Sequence, residues 1–115
     1  MDKLRKLTSE IIKFRDERNW QQFHNPKDVA LSLVLEAAEL LEHFQWKNND
    51  EISNYVEKSS HEIGEELADI LYWVLLMSHD LKIDIGSALE NKLEKNKVKY
   101  PINLAKGNSI KYNKF

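Results

Sequence analysis

The chain has 115 residues, 42% hydrophobic and 31% charged, with 17 basic against 19 acidic side chains. That length supports one domain, residues 1–115, with a core of its own, and the balance excludes a disordered chain. A net charge of −2 supplies no basic field for DNA or RNA, and the lack of cysteine excludes a disulfide framework, a thiolate nucleophile and a thiolate-held zinc.

Three glycines and two prolines favour long helices over strands and turns. The start, "MDKLRKLTSE", has no apolar signal region, and no apolar run approaches the roughly 18 residues of a membrane span. The expectation is a soluble, cytoplasmic protein with neither nucleic acid nor membrane as partner.

Residues 2–18 place Leu4, Leu7, Ile11, Phe14 and Arg18 at intervals of three or four, the spacing of an amphipathic helix. "NWQQFHNP" interrupts it. Asn25 can cap a second helix, with Pro26 at its first position and Asp28 at its positive start, running to about residue 46. "KNNDEISNYVEKSS" reads as a polar loop with one helical turn around "EISNYV". Ser59 and Glu62 have capping-box spacing, which starts a third helix over 60–81 whose run "ILYWVLLM" reads as buried nearly all round. Asp84 can cap a fourth, "IGSALENKLEKNKVK", with Ile85, Ala88, Leu89 and Leu93 on one face and Pro101 beyond its end. A polar, basic tail over 105–115 follows. The predicted fold class is all-α, a four-helix bundle.

The second and third helices carry acids among apolar residues, which is unusual unless those acids are paired or bind a metal. Glu36 and Glu39 share one stripe with His43; Glu62, Glu65 or Glu66, Asp69 and Trp73 form a similar one. Solvated acids paired with lysines are one reading. Against it, neither Lys nor Arg occurs between Asp28 and Trp46 or between His61 and His79. Facing helices would gather four carboxylates, which then need a proton or a cation among them. Oxygen donors alone suit Mg²⁺ or Mn²⁺ better than zinc. A di-iron bundle would need Glu-x-x-His pairs, but Gln21, Leu40, Lys58 and Leu76 stand three before the four histidines.

Magnesium held by carboxylates commonly serves substrate phosphates. Lys92, Lys95, Lys97, Lys99, Lys106 and Lys111 could meet those phosphates, or simply complement a helix dipole and aid solubility. Trp20, Trp46 and Trp73 could stack on a base or fill a core, and His24 could touch ligand or serve as a loop residue.

"EAAE" (36–39) and "EELAD" (65–69) resemble the E-x-x-E…E-x-x-D signature of the MazG-like superfamily of all-α nucleoside triphosphate pyrophosphohydrolases. "FRDERNWQQFHNP", "EAAELLEHFQWK", "EELADILYW", "NKLEKNKVKYP" and "AKGNSIKY" resemble the branch that includes the dCTP pyrophosphatases. The resemblance covers roughly residues 10–112, with 47–62 its main variable stretch.

The resemblance implies Glu36, Glu39, Glu66 and Asp69 as Mg²⁺ ligands, with Mn²⁺ able to substitute, and Glu39, Glu66 and Asp69 as catalytic carboxylates. It leaves the proton-accepting base open among Glu39, Glu62 and Glu65. Trp20, His24 and Trp46 match positions near a nucleobase pocket, and Trp73 stands where relatives carry Tyr. Lys92 and Asn96 match phosphate and sugar contacts, and Lys111 and Tyr112 a tail that folds over the triphosphate. Ile11 stands near the place of a base-reading histidine, which leaves cytosine specificity open. The implied activity is hydrolysis of a nucleoside triphosphate, dCTP or a related or modified nucleotide, to monophosphate and pyrophosphate. The implied assembly is a homodimer or a dimer-of-dimers homotetramer. The competing reading is a non-catalytic helical oligomer or interaction module with a structural metal.

Overall fold

The computed structural model describes residues 2–114, the side chain of Tyr112 excepted. The described residues form four long helices and no strand: α1 (Lys3–Asp16), α2 (Pro26–Glu42), α3 (Asn49–Asp80) and α4 (Ile85–Lys99). A 3₁₀ turn (Trp20–Phe23) and the short helix α5 (Ile102–Ala105) complete the ordered elements ahead of a last turn, Tyr112–Lys114. The all-α expectation holds. The chain divides into two compact units, Met1–Lys82 and Ile83–Phe115.

In the first unit, the caps explain where the helices start. The Asp2 carboxylate accepts from the backbone N–H of Arg5 at 2.9 Å, and the Asn25 side chain accepts from that of Asp28 at 2.9 Å. Each satisfies a donor that the first turn would otherwise leave open, a contribution of about 1 kcal/mol. Beyond α1 the chain reverses through Asn19, whose φ of 55° lies in the left-handed region that asparagine tolerates.

Two predicted boundaries are corrected. The second helix ends at Glu42 rather than near 46, because the N–H groups of His43 and Phe44 turn to the carbonyls of Leu40 and Leu41, a tighter three-residue closure. The third helix starts at Asn49, so the stretch expected as a loop is helical. Its start is a capping box: the Asn48 side chain accepts from Glu51 N–H at 2.9 Å while the Glu51 carboxylate accepts from Asn48 N–H at 3.3 Å. The predicted box at Ser59 marks a bend instead. Ser59 has φ −116° and ψ 23°, non-helical values inside a helix that continues on both sides.

Helix α3 packs against both α1 and α2. The deepest apolar side chains are Val29, Leu75 and Leu76. The run 70–77 is therefore not buried all round: Leu71 keeps 43% of its surface exposed. Its wall is completed by a charge, since Arg15 is 1% exposed and reaches Asp80.

In the second unit, Asp84 caps α4 through Ser87 N–H at 3.1 Å, as its position predicts. Lys97 and Lys99 lie in the last turn, where the helix dipole favours cations. Among the described residues no helix is long and apolar enough to cross a membrane.

Candidate functional site

The periodicity that makes α2 a helix also sets Glu36 and Glu39 one turn apart on it, and α3 brings Glu66 to them. Each of the three offers a carboxylate oxygen, and those oxygens lie within 4.8 Å of one another. Glu36 and Glu66 are half-buried and Glu39 is exposed. The Oε2 atoms of Glu36 and Glu66 are both buried and without a hydrogen-bond partner. Buried acceptors left this way are costly unless a proton or cation meets them.

The electrostatics follow. Burial pushes the Glu36 carboxyl up to about 7, reinforced by a hydrogen bond with Glu39 and by the charges of Asp69, Glu39 and Glu66. Glu66 is also raised, first by burial and then by Glu39 and Asp69, with His43 opposing. A carboxyl that holds its proton near neutrality has been drawn out of water and set beside other acids.

Asp69 is exposed and stands outside the trio, one helical turn along from Glu66. Its charge nonetheless acts on both Glu36 and Glu66. On the other side of Glu66, His43 places Nε2 3.8 Å from Glu66 Oε1, and its Nδ1 meets the Tyr55 hydroxyl. Glu39, Glu42, His43, Lys47, Tyr55 and Glu66 line a cleft of about 380 Å³ beside the acids. Tyr55 escaped the sequence reading. The Asn48–Glu51 capping box signals the helix that carries Tyr55, but not its contact with His43.

The aromatic residues separate into two groups. Edge-to-face ring contacts run from Trp20 to Phe14 (5.7 Å), Tyr72 (6.4 Å), Trp73 (5.0 Å) and His24 (5.4 Å). Trp20, Trp73 and His24 are thus linked through Phe14 and Tyr72. His24 Nδ1 is buried without a partner, and burial followed by the Arg15 charge lowers its pKa. A second cavity of about 320 Å³ includes His24, Gln21, Asn25 and Asp80 in its lining. Trp46 stands apart at 86% exposure, in the turn after α2. Lys92 and Asn96 lie one turn apart on α4, in the second unit. Of the tail residues, the Tyr112 side chain lies outside the described part.

The family model described as "MazG-like family" matches residues 31–115, which include all the acids of the cluster. The chain belongs to the MazG-like family. Mouse dCTP pyrophosphatase 1 is 34% identical over 114 residues, 97% of the MazG-like chain and 65% of the mouse protein. The human protein of the same name gives the same figures. The chain thus spans just under two thirds of the length of these curated relatives. Among solved structures, a pyrophosphatase from Archaeoglobus fulgidus is 38% identical with a TM-score of 0.83, over 88% of this MazG-like chain and 94% of that one.

Proposed function

We propose that this MazG-like chain hydrolyses nucleoside triphosphates to the monophosphate and pyrophosphate, with dCTP and related cytidine nucleotides first among candidate substrates. The observation that carries the proposal is the trio of Glu36, Glu39 and Glu66, which bring carboxylate oxygens within 4.8 Å of one another, while Glu36 and Glu66 each keep a buried, unpartnered Oε2. An all-oxygen donor set with orphaned acceptors fits a hard divalent cation, Mg²⁺ or Mn²⁺. Glu36, Glu39 and Glu66 would hold it, with Asp69 joining from the next turn. The ion's chemistry there is to neutralise phosphate charge and make water more acidic.

The chain's own residues do the rest. Glu39, the exposed member of the trio, is the carboxylate best placed to take the proton of an attacking water. The water's oxygen bonds to the α-phosphorus as the α–β anhydride breaks, and pyrophosphate leaves. Glu66 and Asp69 complete the catalytic acids. Trp46 offers an open face for a base, while Trp20, His24 and, from α3, Trp73 supply an aromatic wall. Lys92 and Asn96 take phosphate and sugar. Residues 1–115 act as one working domain with a basic tail, in the cytoplasm.

The working form is a homodimer or homotetramer. Leu31, Val34, Leu35 and Leu41 fall on one arc of α2 and are all more than half exposed, as is Leu67 on α3. A surface of this kind on a monomer is a site of association. The names of the relatives, dCTP pyrophosphatase and pyrophosphatase, support the reaction class.

The deciding experiment is a panel of canonical and modified nucleotides with Mg²⁺, read as pyrophosphate released. Turnover of one or more triphosphates is expected. A chain that gains thermal stability from Mg²⁺ yet consumes no triphosphate would be an interaction module instead.

A further inference from the structure

The geometry points to His43 as a positioning residue for Glu66, itself oriented by Tyr55 and Lys47. The inference rests on the proposed role of Glu66 as a metal-holding carboxylate and concerns what fixes that carboxylate in place.

His43 is half-buried at the end of α2, and both of its ring nitrogens face a specific partner. Nε2 stands 3.8 Å from Glu66 Oε1, a close electrostatic contact rather than a hydrogen bond. A carboxylate oxygen only accepts, so the proton of a neutral ring belongs on Nε2, facing it. Nδ1 is then an acceptor, and the Tyr55 hydroxyl beside it is the donor. The Tyr55 hydroxyl, able to donate, thus supports the tautomer that turns a positive edge toward Glu66.

Lys47 holds both members. Its ammonium donates to the His43 backbone carbonyl at 2.7 Å and lies 4.3 Å over the Tyr55 ring. The Tyr55 ring packs against Phe44 edge-to-face at 6.2 Å, a second brace from the same turn. Oε1 of Glu66 thus faces the His43 ring, while its Oε2 is buried and unpartnered. Outer residues of this kind orient a ligand and tune affinity, with losses of roughly 10- to 100-fold on removal.

The test is Mn²⁺ binding to the full chain without nucleotide, read from the free-ion signal in electron paramagnetic resonance. Variants are Tyr55→Phe, His43→Leu, His43→Gln and Glu66→Gln, each also followed by metal-free melting. Expected are dissociation constants raised about tenfold in Tyr55→Phe and His43→Leu. His43→Gln, which keeps a donor at the Nε2 place, should recover part of the loss. Metal-free melting of Tyr55→Phe should stay within a few degrees of wild type. Should His43→Leu fail to fold, Tyr55→Phe, which removes a single oxygen, carries the test. If Glu66→Gln loses Mn²⁺ while Tyr55→Phe and His43→Leu bind as wild type does, the positioning role is wrong and the metal site stands. If Glu66→Gln itself binds Mn²⁺ normally, the metal role of Glu66 fails, and the positioning role falls with it.

Discussion

Arg15 Nη1 lies 2.9 and 2.7 Å from the two carboxylate oxygens of Asp80, tying α1 to the last turn of α3. The arginine side chain is 2% exposed and the aspartate 27%, so the pair is shielded on one side and wet on the other. Removing the acid strands a buried guanidinium. Asp80→Ala should destabilise the protein by about 3 kcal/mol, a fall of roughly 10 °C in melting temperature. The double variant Arg15→Met with Asp80→Leu should melt above Asp80→Ala, because it leaves no unpaired charge. Calorimetry of the three proteins checks both.

Asp69→Asn should lower pyrophosphate release by at least about 100-fold while circular dichroism and melting stay near wild type. The side chain is exposed and its charge acts on Glu36 and Glu66, so its loss removes charge without leaving a hole. Wild-type turnover by the purified variant would sink the assignment.

Glu36 gives a pH dependence whose sign is fixed. Its folded-state value of about 7 lies above the ordinary 4.5, so the native metal-free protein holds a proton that the unfolded chain has released. Stability from that proton is complete below about pH 4.5 and is lost as pH rises to about 7. Metal-free protein should therefore melt lower at pH 7.5 than at pH 5.5, as far as this group decides it. Added Mg²⁺ should raise the melting temperature more at pH 7.5, where the ligand is deprotonated. Thermal scans at the two pH values, with and without Mg²⁺, check both signs.

The exposed arc of α2 makes a prediction about assembly. Val34 is 62% exposed and Leu35 57%, so a charge at either should not disturb the fold of one chain. Val34→Glu should shift the mass in light scattering from oligomer toward monomer with helicity retained. An unchanged mass would place the interface elsewhere.

How much of this was legible in the sequence differs from element to element. Asn25 with Pro26, and Asp84, announced α2 and α4 because a cap is a local event among four residues. The front half of α3 was missed because its polar outer face hides the period, and the bend at Ser59 shifts the phase between its two halves. The acids were legible, since charges without counter-charges stand out in an apolar run. Tyr55 was not, because its meaning depends on His43, 12 residues earlier across a turn. Arg15 and Asp80 are 65 residues apart, and each alone looks like a surface residue.

The bend at Ser59 has one more consequence. A helix rises about 1.5 Å per residue, so Tyr55 sits on an arm about 6 Å long measured from the bend. Turning that arm by about 10° would carry its Cα through roughly 1 Å, the distance that separates a hydrogen bond from a mere contact. Substitutions near Ser59 can thus retune the grip on Glu66 like a set screw, leaving every acid in the cluster as it is.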